Sequence, residues 1–379
     1  LERRRGHAVD RTDATYLARA AELAARAIAD AAPNPPVGAV IVRDGRTLGE
    51  GWHHRKGEAH AEAEALAAAR AAGEDPRGAT MYVTLEPHDH ESTVPPCSRA
   101  LIAAGIGRVV VGALDPNERT HGRGIARMRD AGITVDVVDD PRSLALIERF
   151  RFTIANDRPY LTVKMACSLD GCVAPARATF AVTGDAARRY VHELRADHDA
   201  VMVGAGTVRV DDPLLTVRPH HTRRKPYVRV VVCETAPVPA SSRVFATPAA
   251  PAGAYARTIV LAPAGAAPLF RELTDVAEVL FVGGPDERAL DLRAALAALR
   301  AHGIASVLCE GGPTLAGRLL AHGLAQRVTW LVAPRFLQGP RAVPVLAGAD
   351  LASAANGWAF DRVERLGDDV MLSAPLTHV

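Results

Sequence analysis

Aromatic residues are scarce, making up 4% of 379 positions. The core must therefore be built largely from small aliphatic side chains. Cysteine is also sparse: the five residues, at 97, 167, 172, 233 and 309, are odd in number and unevenly spaced. That pattern argues against a disulfide scaffold and fits a reducing cytoplasm. Charge of one sign is lacking too, with 45 basic side chains against 43 acidic ones and a formal net charge of +2. Such a balance supplies no long-range field for gripping nucleic acid or an acidic membrane. No apolar run of about 20 residues is free of charge, so no membrane span is expected. No internal repeat is visible. The basic start, Leu1 to His7, is followed by no apolar signal-peptide stretch and reads as a frayed leader over 1–12.

What is present is an ordinary globular composition, 48% hydrophobic and 23% charged. A mass of 40.1 kDa makes two domains the natural expectation. Leu17, Ala20, Leu23, Ala24, Ala27 and Ile28 recur at helical spacing, predicting a helix over 13–30 that Pro33-Asn34-Pro35-Pro36 must break. Strands are predicted over 37–42 and 48–52 around the turn Asp44-Gly45, then over 80–85, 108–112 and 133–138. Helices are predicted between them, over 59–72, 95–104 and 124–131. Alternation of this kind makes the first half an α/β layer structure. After the polar break Asn156-Asp157-Arg158-Pro159, strands are predicted over 160–165, 200–203, 228–233, 258–261, 279–282, 306–308, 328–332 and 370–373. Helices are predicted over 185–196, 291–301 and after Gly312, and loops over about 237–268. The boundary falls near 157, giving domains 13–157 and 158–379.

The sharpest chemical signal is His60-Ala61-Glu62, followed by Pro87-His88 and Pro96-Cys97. Zinc deaminases place H-x-E on one helix and P-C-x-x-C on the next. The histidine is a metal ligand, and the glutamate two residues on is a proton shuttle. Zinc lowers the pKa of water toward neutral, which makes a nucleophile available. A helix start also favours an anionic thiolate.

The ordered set Pro33-Asn34-Pro35-Pro36-Val37-Gly38, Gly49-Glu50-Gly51-Trp52-His53, Gly57 to Glu62, Thr84-Leu85-Glu86-Pro87 and Pro95-Pro96-Cys97 resembles the deaminase half of the bifunctional riboflavin-biosynthesis deaminase–reductases. The resemblance implies a cytidine-deaminase-like, three-layer α/β domain. It makes His60 and Cys97 zinc ligands, Glu62 the catalytic proton shuttle, and Asn34 and His53 neighbours of the substrate pyrimidine. Where the family reads T-L-E-P-C-S-H-x-G-R-T-P-P-C, this chain has His88 at the first cysteine and Ser92-Thr93-Val94 in place of Gly-Arg-Thr. Imidazole is a competent zinc ligand, so His88 is the third candidate, with His90 in the same loop as its alternative. The second change removes a basic side chain from a loop expected near the ribose phosphate, while Asp89 and Glu91 add negative charge there.

In the second half, Glu310-Gly311-Gly312-Pro313-Thr314-Leu315-Ala316-Gly317 delivers two glycines from a strand to a helix N-terminus. Such a turn lets backbone approach a phosphate closely. With Lys164 to Gly171 and Val203 to Arg218, these strings resemble the reductase half of the same family, whose fold is like dihydrofolate reductase and whose cofactor is NADPH. The resemblance implies that Gly312, Pro313, Thr314, Leu315, Ala316 and Gly317 flank the cofactor pyrophosphate. It places Ala166, Thr207 and Asp211 along the cofactor and turns Arg195, Leu215, Arg218 and Glu310 toward the substrate. The family's Ser-x-Trp-Ile-Thr reads Thr179-Phe180-Ala181-Val182-Thr183 here, and Cys172 follows Ser-Leu-Asp-Gly where a basic residue is usual.

The expected enzyme is therefore cytoplasmic and bifunctional. It uses zinc to deaminate a phosphoribosylaminopyrimidine by hydrolysis and NADPH to reduce the ribosyl group to ribityl. No nucleic acid or membrane is expected as a partner, and reductases of this shape often pair into homo-oligomers through sheet edges. Two other readings stay open at this point. One is a divergent paralogue that serves a specialised pathway or keeps only the reductase. The other is a non-catalytic pyrimidine binder.

Overall fold

Backbone contacts divide the chain into two compact units, Leu1–Asn156 and Asp157–Val379. The computed structural model describes residues 11–91, 95–174, 181–217, 227–246, 255–348, 350–351 and 358–376. Among the described residues, no helix is long and apolar enough to cross a membrane.

In the first unit α1 (Arg11–Ala25) precedes the hairpin β1 (Gly38–Arg43) and β2 (Arg46–Trp52). Then follow α2 (Ala61–Ala71), β3 (Thr80–Val83), α3 (Cys97–Ala104), β4 (Arg108–Val111), α4 (Arg123–Asp130), β5 (Thr134–Val137), α5 (Pro141–Leu146) and α6 (Glu148–Ala155). The strands form one sheet in the order β2-β1-β3-β4-β5, antiparallel at the hairpin end and parallel from β3 onward. Alternate side chains sort the layers. Ala39, Ile41, Met81, Val83, Val109 and Val111 pack with Leu66, Leu101 and Met128 of α2, α3 and α4. Val40, Val42, Tyr82 and Val110 pack with Leu17, Ala20 and Leu23 of α1 on the opposite face. This is the three-layer arrangement expected, with both sheet faces covered because the parallel strands are apolar on both sides.

Close helix–sheet approach depends on glycines. A Cβ at Gly51 would lie 2.4 Å from the Ala65 nitrogen and 2.5 Å from the Ala61 oxygen. One at Gly38 would lie 2.0 Å from the Ala20 oxygen. An ion-pair network ties the opposite side: Arg108 donates to both carboxylate oxygens of Asp13, each at 2.8 Å, and to Asp136 at 2.9 Å. Helices α5 and α6 were not expected. The first is announced by Asp140, which accepts a bond from the Ser143 amide at 2.8 Å, with proline at the first helical position.

The second unit contains β6 (Tyr160–Ser168), β7 (Cys172–Ala174), α7 (Asp185–Asp197), β8 (Ala200–Gly204), α8 (Ala205–Asp211), β9 (Tyr227–Val232) and β10 (Tyr255–Pro263). A 3-10 stretch over Ala264–Asp275 leads to β11 (Glu278–Val282), α9 (Leu292–Ala301), β12 (Ser306–Gly311), α10 (Pro313–Ala321), β13 (Arg327–Ala333), β14 (Val343–Pro344), β15 (Arg362–Leu366) and β16 (Asp369–Pro375). Nine strands form a sheet in the order β11-β10-β9-β8-β12-β6-β13-β16-β15. Pairing is parallel from β11 to β13 and antiparallel beyond. Leu161, Val163, Val307 and Cys309 pack with α9 and α10, while Val201, Val203, Val231 and Val260 pack around Phe270 on the other face. Three observations depart from the sequence reading. The 237–268 region holds a long β10 and the start of the 3-10 stretch. The residues after Gly204 form α8. The edge strand β15 carries little apolar signature.

Candidate active site

In the first unit the functional side chains meet where strands end and helices begin. His60 is the N-cap of α2, and Glu62 lies in its first turn. Cys97 opens α3 after the N-cap Pro96, and the Ser98 amide donates to the His88 carbonyl oxygen at 3.2 Å. The donor atoms of His60, His88 and Cys97 all lie within 4.8 Å of one another. Cys97 Sγ is 3.5 Å from His60 Nδ1. Two ligands of a tetrahedral zinc, one nitrogen and one sulfur, stand about 3.6 Å apart at ordinary bond lengths. The donor set therefore fits the ion in both chemistry and spacing. His90, the alternative ligand, stays outside this cluster, with its ring centroid 5.2 Å from that of His88.

Burial dominates the electrostatics of these groups. Burial, then neighbouring His88, pulls His60 down to about 4. Burial, then Glu62, pushes the Cys97 thiol well up. Burial also raises the Glu62 carboxyl, which is 3% exposed.

His60, Glu62 and His88 line one cavity of about 260 Å³. Asn34 and His53 line it too, and Asn34 Nδ2 lies 3.1 Å from His53 Nε2. His53 Nδ1 lies 3.0 Å from the Ala59 carbonyl oxygen, which fixes the ring. Sequence reading missed several lining residues: Lys56, Glu86, Asp115, Asn117, Thr120 and Phe150. The available signal was Asp115-Pro116-Asn117, a polar turn just past a buried parallel strand, where ligands of open α/β sheets gather.

In the second unit Arg195 on α7 grips Glu310 at the end of β12 through Nε, which donates to Oε1, and Nη2, which donates to Oε2 at 3.0 Å. Arg195 Nη1 donates to the Thr216 carbonyl oxygen at 2.9 Å, next to Leu215, which is buried at φ 51°. Thus Arg195, Leu215 and Glu310 share one place, while Arg218 lies outside the described residues. Lys164 was not anticipated as a partner, yet its Nζ is 3.6 Å from Glu310 Oε2. A lysine inside an otherwise apolar strand was the signal. Burial opposes the ionised Glu310 carboxyl, but Arg195 and Lys164 outweigh it and hold the group down to about 2.

Gly311 and Gly312 take φ of 101° and 83° immediately before α10, whose first residue is Pro313. A Cβ at Gly312 would lie 3.1 Å from Thr207 Oγ1, so the turn forms a side-chain-free cradle beside α8, where Asp211 also sits. Such a cradle at a helix start fits a dinucleotide phosphate. Thr314 follows Pro313 in the first turn, whereas Leu315 and Ala316 are buried in the core and can offer a ligand only backbone. Gly317 makes room for packing, since a Cβ there would lie 2.4 Å from the Ala347 oxygen. Ala166 is on β6, one residue after Met165, whose sulfur would lie 3.5 Å from a Cβ at Gly311.

Comparison with known proteins sets these sites in a family. Residues 10–113 match the cytidine and deoxycytidylate deaminase zinc-binding region, and residues 159–372 match the RibD C-terminal domain. The riboflavin biosynthesis protein RibD of Escherichia coli is 37% identical over 95% of this chain and 98% of its own. The chain belongs to the RibD family. The RibD protein of Aquifex aeolicus is 36% identical over 95% of this chain and 97% of its own. Among solved structures, a Thermotoga maritima diaminohydroxyphosphoribosylaminopyrimidine deaminase/5-amino-6-(5-phosphoribosylamino)uracil reductase superposes with a TM-score of 0.80 at 34% identity. It covers 97% of this chain and 99% of that one. Acinetobacter baumannii RibD gives 0.79 at 32% identity, with the same coverage.

Proposed function

We propose that this RibD-family chain carries out two successive steps of riboflavin biosynthesis: hydrolytic deamination of a diaminohydroxyphosphoribosylaminopyrimidine and NADPH-dependent reduction of the ribosyl group to ribityl. The observation that carries the first step is the convergence of His60, His88 and Cys97 on one point beside buried Glu62. We assign deamination to residues 13–157 and reduction to 158–379.

In the first step water replaces an exocyclic amine: a C–O bond forms, a C–N bond breaks, and ammonia leaves. His60, His88 and Cys97 hold the zinc, which when bound activates water at neutral pH. Glu62 takes a proton from the nucleophile and returns it to the ring nitrogen and the departing amine, a task that suits a carboxyl lining the same cavity. Asn34 and the ring of His53, fixed on its Nδ1 side, orient the pyrimidine.

In the second step NADPH, when bound, would supply a hydride to the anomeric carbon and leave as NADP+, while the ring C–O bond breaks and its oxygen takes a proton from solvent to give the ribityl chain. Gly312, Pro313 and Thr314 cradle the cofactor's phosphates, with backbone from Leu315 to Gly317 behind them. Ala166, Thr207 and Asp211 flank the cofactor. Arg195 and Glu310 position the substrate, with Leu215 and Arg218 alongside. Lys164 and Arg195 keep Glu310 ionised as an acceptor for sugar hydroxyls. Orientation and electrostatics carry this step.

All five cysteines are free and buried, which suits a reducing cytoplasm. Pairing of two copies along the edge strand β15 is part of the proposal, since Val363 there is 63% exposed. Sedimentation tests the pairing. The function is tested by giving purified protein the pyrimidine with NADPH and following ammonia release, NADPH consumption and bound zinc. About one zinc per chain with both products supports it, and silence in both assays overturns it.

A further inference from the structure

Building on the deaminase reading above, we propose that Lys56 grips the substrate's phosphate in the first unit, taking the place of the basic side chain that the 88–97 loop lacks. The 88–97 loop, which reaches the cavity through His88 and His90, holds no lysine or arginine. The substrate is nonetheless a phosphate ester and needs a counter-charge.

The cavity leaves one candidate. Among its lining residues, Lys56 is the one ammonium or guanidinium group. It is also the one lining residue that is exposed; His60, Glu62, Glu86 and Asp115 lie deeper. Glu62, Glu86 and Asp115, all buried on the floor of the cavity, offer a phosphate no positive charge. With the pyrimidine against His60 and Glu62, the phosphate must trail toward the mouth, where Lys56 stands.

Three arginines of the flanking segments are already engaged. Arg55 donates to Glu58 at 2.6 Å. Arg99 donates to Glu91 at 2.7 Å, and Arg127 pairs with Asp89. Lys56 has no carboxylate partner among the described residues. It lies between β2 and α2, three residues after His53, so the same loop that orients the base carries the phosphate contact.

The test compares the full chain with Lys56→Gln and Lys56→Arg, using ammonia release from the phosphorylated pyrimidine and from its dephosphorylated ribosyl counterpart. Lys56→Gln raises KM for the phosphorylated compound about tenfold with kcat within about twofold, and Lys56→Arg restores most of the loss. On the dephosphorylated compound the three proteins coincide. Zinc content near one per chain in all three reports an intact site. Equal KM values for the wild type and Lys56→Gln, or an equal penalty on both compounds, overturn the assignment while leaving the deaminase reading standing. If the wild type releases no ammonia, the deaminase reading falls. Titration of the phosphorylated pyrimidine into Glu62→Gln and into Glu62→Gln/Lys56→Gln then decides: an affinity loss of about tenfold supports Lys56, and equal affinity refutes it.

Discussion

Replacing Gly51 by alanine tests whether backbone contact between β2 and α2 sets the deaminase geometry. The added Cβ would lie 2.4 Å from the Ala65 nitrogen, 2.5 Å from the Ala61 oxygen and 2.6 Å from the Glu64 Cβ. Ordinary contact begins near 3.4 Å, and two of these three atoms are backbone, so no rotamer change relieves the clash. Helix α2 must move outward by about 1 Å. Overpacking of this kind costs about 1–3 kcal/mol, which lowers the melting temperature by roughly 4–8 °C at the middle of that range. The helix carries Glu62 and is capped by His60, and a misplacement of about 1 Å costs about 100-fold in rate. Gly51→Ala should therefore lose ammonia release about 100-fold and bind zinc below one per chain, while NADPH consumption persists. Gly339→Ala is the control, because a Cβ there meets nothing within 4 Å. Thermal melting, zinc analysis and the two activity assays read the outcome. Wild-type melting and full zinc in Gly51→Ala would refute the argument.

Cys97→Ser removes the one thiolate ligand, and zinc measured by metal analysis should fall from about one per chain to near none. His88→Cys adds an anionic ligand and should slow zinc loss to a chelator. Gly312→Ala forces a side chain into φ 83° at a cost of about 1–3 kcal/mol, so NADPH affinity measured by fluorescence should drop about tenfold or more with ammonia release unchanged. Glu310→Gln leaves Arg195 and Lys164 without their shared counter-charge; NADPH consumption should be lost and ammonia release kept. Bonding to Arg108 holds Asp13 below the usual carboxylate range. Its stabilising effect is present above about pH 4 and fades as pH falls through the lowered value. Asp13→Asn should thus cost about 1–2 kcal/mol near neutrality, and its melting curve should converge on the wild type's in acid.

The parts of the molecule that could be read from sequence are those whose cause is local. The parallel strands are apolar on both faces because both are covered, so runs such as Val109 to Val111 stand out without knowledge of their neighbours. The candidate ligands His60 and Cys97 are legible because each sits at a helix start, within a short H-x-E or behind a proline, whereas His88 lies in the loop before α3. Edge strand β15 stayed hidden for the converse reason: Arg362, Val363 and Arg365 face solvent, so no alternation of apolar residues marks it. Helix α8 was obscured because its residues Ala205 to Asp211 follow a glycine that reads as a turn.

The cavity wall was illegible for a different reason, and it matters more for function. Asp115, Asn117 and Thr120 follow β4, and Phe150 comes from α6; the sheet order and α6 bring them to the motif residues. No sequence window contains both groups. The same holds for Lys164, which meets Glu310 because β6 and β12 are neighbours in the sheet, with Val163 opposite Cys309. In each unit, then, the residues that handle the reacting or anchoring groups announce themselves at strand-to-helix turns. The residues that set the charge around those groups are recruited by strand order. A reading confined to motifs therefore finds where chemistry happens and misses what tunes it, such as the lone ammonium of Lys56 at the cavity mouth.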